Sequence, residues 1–137
     1  MKTYGLIILT VILCVLGYRM TSNSASPLFN TTDTATITVQ EVSMKEAVKA
    51  WQEQKVLFID VRTLEEYRQG YIPGAVLIPL DELDKRMDEV PKDKKVLIIC
   101  RSGNRSATAN LLLQEQGFTN TASVKGGMSV WPDRIEK

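Results

Sequence analysis

The chain has 137 residues, with 17 Lys and Arg against 16 Asp and Glu and 44% hydrophobic residues, which is typical of one globular domain. This near-neutral charge excludes the basic footprint that nucleic-acid binding requires. The sequence has no histidine, which excludes Ser-His-Asp triads, Cys-His pairs and His-ligated metal sites. Its two cysteines are too few for a zinc knuckle or a disulfide framework. Nothing in the composition implies a metal or a cofactor.

Residues 1–24 are typical of a secretory signal peptide. Lys2 precedes an uncharged apolar run at 5–18, which is shorter than the roughly 20 residues that a membrane-spanning helix needs. Small residues near its end predict cleavage before Ala25. Because Arg19 directly follows the apolar run, an uncleaved signal anchor stays open as the alternative.

The segment 25–36 is rich in Ser, Thr, Asn and Pro, and it predicts a solvated linker. A single domain is then expected over residues 37–137. A protein with this N-terminus is expected to be exported, and its only membrane contact would be an uncleaved N-terminal segment.

From residue 37 onward, the hydrophobic pattern predicts strands alternating with helices. Two uninterrupted apolar runs, 56–59 and 96–99, are typical of strands buried on both faces. Three shorter strands are expected at 37–39, 75–78 and 121–124. A first helix is expected after an N-cap at Ser43, with Trp51 as a core anchor. Further helices are expected at 64–69, 81–89 and 105–116, the last of them ended by the C-cap glycine Gly117. Gly126-Gly127 is expected to open a final helical turn. The predicted fold class is α/β, with a small, mainly parallel sheet flanked by helices.

The loop after the second apolar strand carries the chemistry that the sequence offers. It begins at Cys100 and leads into a helix, a connection whose backbone N–H groups and helix N-terminus favour an anion. A cysteine there can be a thiolate near neutral pH without a histidine partner, because amides, the helix dipole and two arginines stabilise its charge. The candidate nucleophile is Cys100, and the candidate substrate-binding residues are Arg101, Ser102, Gly103, Asn104, Arg105 and Ser106.

Four motifs, in this order and spacing, resemble the rhodanese sulfurtransferase domain over about residues 37–131. They are Asp60-Val61-Arg62, the segment 70–75 (GYIPGA), the loop 100–106 (CRSGNRS), and Gly126-Gly127 followed by Trp131. The resemblance implies that Cys100 accepts a sulfane sulfur as a persulfide. The donor would be a small molecule such as thiosulfate, and the acceptor a thiophile such as cyanide, a small thiol or a thiol protein.

The resemblance also implies that Asp60 and Arg62 are structural residues near the site, joined by an ion pair and hydrogen bonds. Glu66, four residues after Arg62, is expected to be a further partner of Arg62. Tyr71 stands where the family commonly has histidine, so proton transfer at that position is not expected here.

Two other functions compete with sulfur transfer. Cysteine-dependent phosphatases place an arginine six residues after the cysteine, whereas here that position is Ser106 and the arginine is one residue short, at Arg105. The smaller loop is expected to fit sulfur and to crowd a phosphoryl group. A sulfur-binding or redox-sensing module, in which Cys100 stores a persulfide or is oxidised without turnover, is the alternative without catalysis.

A glycosylation acceptor sequence inside the loop argues against export by a cell that would glycosylate it. Asn104-Arg105-Ser106 matches the acceptor sequence, and a glycan on Asn104 would block the candidate site. We therefore expect export by a bacterium, to the periplasm or to the outer face of the inner membrane.

Overall fold

The computed structural model describes residues 38–133 and 135–137. The predicted signal peptide, linker and domain start at residue 37 lie outside the described residues and stay predictions. Among the residues that the structure describes, no helix combines the length and the apolar character needed to cross a membrane.

Five parallel strands form one sheet in the order β1-β5-β4-β2-β3. Helices and short 3-10 turns connect them, as the sequence predicts for an α/β fold. The strands are β1 Glu41–Val42, β2 Val56–Asp60, β3 Val76–Leu77, β4 Lys95–Ile99 and β5 Thr121–Val124; the helices are α1 Met44–Gln52, α2 Leu64–Arg68 and α3 Asn104–Glu115. Three 3-10 turns lie at Leu83–Lys85, Met87–Glu89 and Gly127–Val130.

The uninterrupted apolar runs occupy the centre of the sheet because both of its faces are covered. In β4, Leu97 and Ile99 contribute to the core on one face, together with Ala47 of α1, while Ile98 contributes to the opposite core with Leu113 of α3. All four of these β4 and α3 side chains are at most 1% exposed. Each run therefore supplies two cores at once, which explains the missing polar alternation.

Helix α1 begins at the predicted N-cap. The Ser43 hydroxyl accepts a hydrogen bond from the Glu46 amide, and the Glu46 carboxylate accepts one from the Ser43 amide, which is a complete capping box. Trp51 packs against the core as expected, donates its indole N–H to the Pro73 carbonyl at 3.1 Å, and meets Trp131 edge to face.

Two predicted elements differ from the structure. The first strand forms at Glu41–Val42 rather than at 37–39, because β1 takes its register from the C-terminal half of β5, at Ser123 and Val124. The predicted helix at 81–89 is two 3-10 turns. Arg86, at φ −122° and ψ 19°, leaves helical geometry between them, and its two ion pairs to Glu82 and Glu89 stabilise that break.

Candidate active site

Cys100 lies immediately after β4, at the carboxyl edge of the sheet, where parallel α/β folds place their ligand sites. Its side chain is buried, and the backbone turns from it into α3 through Gly103. Gly103 has a left-handed φ of 105°, and its amide donates to the Cys100 sulfur at 3.1 Å. A residue with a Cβ is strained in that conformation, so glycine is required where the loop reverses.

Hydrogen-bonding groups surround the Cys100 sulfur. The Ser106 hydroxyl oxygen lies 3.6 Å from Sγ, and the amides of Ser102, Gly103 and Ser106 point toward it. Burial raises the pKa of the Cys100 thiol, but the Ser106 hydroxyl and these three amides more than offset that effect, so the pKa lies below its ordinary value. Amides, which the sequence predicts, and one hydroxyl are therefore the principal stabilisers of the thiolate, and neither loop arginine is among the largest causes of the lowered pKa.

The 3-10 turn Gly127–Val130 holds the first two peptide units of the loop, the second of which carries the Ser102 amide. The Met128 amide donates to the Cys100 carbonyl at 2.8 Å, while the Ser129 amide and hydroxyl donate to the Arg101 carbonyl at 2.9 and 2.8 Å. Both carbonyls thus face the turn. A Cβ on Gly127 would overlap the Cys100 carbonyl oxygen and lie 2.7 Å from that of Arg101, so this close approach requires glycine.

Asp60 and Arg62 form a buried ion pair at the end of β2. The guanidinium donates to both carboxylate oxygens at 2.6 to 2.9 Å, and the Arg62 amide donates to one of them at 3.0 Å. A further bond joins Arg62 to the Gly70 carbonyl at 2.8 Å. The Asp60 carboxylate is 0% exposed and accepts hydrogen bonds at both oxygens, and its structural role stays a prediction.

The expected pairing of Glu66 with Arg62 is wrong. Glu66 instead forms two hydrogen bonds with Arg105, both at 2.7 Å, which hold the pKa of the Glu66 carboxyl at about 2. The i, i+4 expectation fails because Arg62 precedes the helix: α2 begins at Leu64 after an N-cap at Thr63. The Arg105 guanidinium is thereby tied to α2.

Arg101 is the arginine of the loop that keeps its charge available. Its side chain is exposed and forms no ion pair or hydrogen bond with the described residues, in contrast to Arg62 and Arg105. It lines a polar cleft of about 340 Å³ together with Arg62, Ser129 and Glu66, whose charge Arg105 neutralises. An anion that enters this cleft meets one unpaired positive charge.

The remaining predicted loop residues are placed differently from one another. Ser102 and Asn104 have exposed side chains, and the structure gives neither side chain a contact with the Cys100 sulfur. Ser106 is fully buried, and its hydroxyl also lies 2.9 Å from the Gly103 carbonyl, to which it donates. Tyr71 stacks on Tyr67 at 4.1 Å, and its backbone pairs with Glu136.

Sequence reasoning missed Ser123. This residue of β5 is 0% exposed, and its hydroxyl oxygen lies 2.8 Å from that of Ser106, directly behind Cys100. The available signal was a serine inside a buried strand, since such a hydroxyl must find a hydrogen-bond partner in the core.

Residues 43–133 match the sequence model of the Rhodanese-like domain family, and the chain belongs to that family. It is 42% identical over 78 residues to a sulfurtransferase of Allochromatium vinosum, an alignment that covers 57% of this chain and 73% of that protein. It is 39% identical over 88 residues to YrkF of Bacillus subtilis, a protein provisionally named a sulfur carrier, with 64% of this chain covered.

The chain spans about half of YrkF, since the alignment covers 48% of that protein. Among solved structures, a rhodanese-like domain protein from Staphylococcus aureus superimposes with a TM-score of 0.66 at 35% identity, covering 72% of this chain and 97% of that one. The chain is therefore a rhodanese-fold α/β domain whose named relatives include a sulfurtransferase and a sulfur carrier.

Proposed function

We propose that this protein is a sulfurtransferase that moves a sulfane sulfur from a donor such as thiosulfate to a thiophilic acceptor through a persulfide on Cys100. The observation that carries the proposal is the environment of the Cys100 sulfur, into which three amides and the Ser106 hydroxyl converge. These groups stabilise negative charge on sulfur, and Cys100 is a free cysteine.

In the first half-reaction, the Cys100 thiolate attacks the outer sulfur of thiosulfate. A bond forms between the two sulfurs, the bond within thiosulfate breaks, and sulfite leaves with its electron pair. The persulfide carries its negative charge on the terminal sulfur. Charge and atoms balance, so this step needs no proton donor, in agreement with a chain that has no histidine.

In the second half-reaction, cyanide or a thiolate attacks the terminal sulfur of the persulfide. The bond to that sulfur breaks, its electron pair returns to Cys100, and the product is thiocyanate or a new persulfide. A small thiol and a protein thiol follow the same chemistry. The amides that hold the resting thiolate stabilise the Cys100 sulfur again as it leaves.

Among the arginines of the site, Arg101 is the one we assign to binding an anionic donor. Arg62 and Arg105 already neutralise Asp60 and Glu66, whereas the Arg101 guanidinium is exposed and unpaired among the described residues. A cationic side chain on the residue that follows the nucleophile favours thiosulfate over neutral donors.

Two features of the loop favour sulfur over phosphate. The loop arginine follows the cysteine by five residues rather than six, and its guanidinium is bound to Glu66 instead of facing the sulfur. A phosphoryl group, which needs an arginine fork for its equatorial oxygens, has none available from Arg105.

Mass spectrometry after incubation with thiosulfate tests the proposal. The peptide that contains Cys100 should gain the mass of one sulfur atom and lose it again when cyanide is added. Cys100→Ser should retain the fold and show neither change. Cys14→Ser, which removes the other of the two cysteines, is the matched control and should behave like the wild type.

The outcomes separate the candidate functions. Repeated turnover supports a sulfurtransferase. A persulfide that forms but is not discharged by cyanide or thiols indicates sulfur storage, and an unmodified Cys100 contradicts both. Faster hydrolysis of an aryl phosphate than sulfur transfer would support the phosphatase alternative.

Export to the bacterial periplasm or to the outer face of the inner membrane is part of the proposal, and it is supported by the apolar run at 5–18 after Lys2. Fractionation of cells that produce the tagged full chain tests it. Full-length protein in the cytosol with an intact N-terminus would contradict export.

A further inference from the structure

A chain of two buried hydroxyl groups leads from β5 to the candidate nucleophile. Ser123 Oγ lies 2.8 Å from Ser106 Oγ, which lies 3.6 Å from Cys100 Sγ. Both serines are 0% exposed, so water does not compete for these contacts. Ser123 itself does not touch the sulfur, and any effect that it has on Cys100 must pass through Ser106.

We propose that Ser123 is a positioning residue for Cys100, which keeps the Ser106 hydroxyl group directed at the sulfur when the sulfur is a thiolate. This inference deepens the proposed function and rests on Cys100 being its nucleophile. It assigns a role to a residue of the strand next to β4, outside the loop that carries the recognisable motif.

Ser106 has one hydroxyl proton and two lone pairs. In the thiol state, the Cys100 S–H donates to the Ser106 oxygen, and the Ser106 proton is donated to the Gly103 carbonyl at 2.9 Å. Every polar group then has a partner.

Loss of the thiol proton changes this arrangement. The thiolate can only accept, so the Ser106 proton must turn from the Gly103 carbonyl to the sulfur. The Ser106 oxygen then receives no bond from Cys100, and the Ser123 hydroxyl is the remaining donor within reach. A buried oxygen without a donor is destabilised, so Ser123 stabilises the thiolate state more than the thiol state.

Charged groups near Cys100 are left in place when Ser123 is changed. They are the Asp60 and Arg62 pair after β2, Glu66 of α2 with Arg105 of α3, and Arg101 on the loop. The hydrogen bond of the Ser123 side chain goes to Ser106 and to none of these groups. A change in the titration of Cys100 therefore reports on the hydroxyl chain.

The test measures the rate of alkylation of Cys100 against pH in the full chain carrying Cys14→Ser, so that one thiol reacts. Ser123→Ala should raise the titration midpoint by roughly half a pH unit, which makes alkylation about threefold slower below the midpoint. Ser123→Thr, which keeps a hydroxyl, should restore the midpoint. In a Ser106→Ala background, Ser123→Ala should add no further shift.

Thr121→Val is the matched control. Thr121 precedes Ser123 by two positions on β5 and is 1% exposed. Its hydroxyl has no hydrogen-bond partner among the described residues, so its removal tests buried-hydroxyl loss alone. An unchanged midpoint in Ser123→Ala would overturn the inference, as would an equal shift in Thr121→Val or an additive shift in the Ser106→Ala background. Alkylation needs no sulfur donor, so failed sulfur transfer with a shifted midpoint would contradict the proposed function alone.

Discussion

Asp60 and Cys100 lie at the ends of β2 and β4, at the same edge of the sheet, and their charges are stabilised by different kinds of group. The strands pair in parallel, with Asp60 opposite Ile99, so Asp60 and Cys100 are near neighbours. Asp60 is neutralised by a complete counter-charge, because the Arg62 guanidinium bonds to both of its oxygens. Cys100 is held by dipoles, namely loop amides and a hydroxyl.

This difference separates a structural group from a reactive one. A carboxylate that is 0% exposed and accepts hydrogen bonds from its own chain at both oxygens is closed to a substrate. A thiolate stabilised by dipoles bears its charge without a counter-ion, and it stays a nucleophile. Two strands of similar composition therefore differ at their carboxyl ends. Asp60, the last residue of β2, is surrounded by a counter-charge, whereas Cys100, which follows β4, is surrounded by dipoles and is the candidate catalyst.

The largest expected effect comes from breaking the charge pair at the β2 end. Arg62→Met leaves the Asp60 carboxylate buried without a counter-charge, and it should lower the free energy of unfolding by about 3–5 kcal/mol. The double variant Arg62→Met with Asp60→Asn removes the buried charge and should recover part of that loss. Urea unfolding measures both. Equal destabilisation of the single and double variants would contradict a charge effect.

At the β4 end, the corresponding break is Gly127→Ala. Its Cβ would overlap the carbonyl of Cys100 and crowd that of Arg101, and its φ of 56° is left-handed, so we expect a loss of about 2–3 kcal/mol together with loss of sulfur transfer. Gly117→Ala is the control, since Gly117 has a φ of 84° but open space around it. It should cost about 1 kcal/mol and leave transfer intact. Equal losses of stability and of transfer in both variants would show that backbone strain, and not the contact of Gly127 with the loop, causes the loss.

Replacing Arg101 changes the reactive end without unfolding it. Arg101→Gln removes an exposed, unpaired charge, so stability should stay within about 0.5 kcal/mol of the wild type. The KM for thiosulfate should rise about tenfold, which corresponds to about 1.4 kcal/mol of binding free energy. The proposal assigns Arg101 to donor binding alone, so the pH midpoint of Cys100 alkylation should not move. A moved midpoint with an unchanged KM would assign Arg101 to the thiolate instead.

The sequence predicted the centre of this molecule better than its edges. The apolar runs at 56–59 and 96–99 form β2 and β4, and one boundary of each strand differs by one residue from the prediction. Strands buried on both faces of a sheet need such uninterrupted apolar runs. The segment 81–89 has good helix formers, but its ion pairs and one buried anchor, Leu83, stabilise 3-10 turns. Helix propensity alone does not predict the 3-10 turns, because tertiary contacts decide between them and an α-helix.

The candidate site shows the same division. The loop sequence from Cys100 to Ser106 predicts inward amides, since strand-loop-helix geometry is local. The partners supplied by other elements were not predicted: Glu66 reaches Arg105 from α2, and Ser123 reaches Ser106 from β5. Such contacts join residues far apart in the chain, and the residue spacing within one element does not predict them.

The smallest expected effect concerns the ion pair that joins the two strand ends. Glu66 follows β2 and Arg105 follows β4, and Glu66→Gln removes the charge while a glutamine at this position can still cap α2. Because the Glu66 and Arg105 side chains are 25% and 34% exposed, solvent weakens the pair, and the loss at pH 7 should be about 1 kcal/mol.

The pH dependence gives this prediction its sign. In the folded state the hydrogen bonds from Arg105 lower the pKa of Glu66 from 4.5 to about 2, so folding favours the charged form. The stabilisation is complete above pH 4.5 and is lost as the pH falls toward 2. The difference in unfolding free energy between wild type and Glu66→Gln should therefore shrink over that range. Glu115→Gln, at an exposed glutamate of α3 without an ion pair in the described chain, should show no such pattern. A difference between wild type and Glu66→Gln that stays constant from pH 7 to pH 2 would mean that the carboxylate contributes by packing and capping, and that the two strand ends are not coupled through charge.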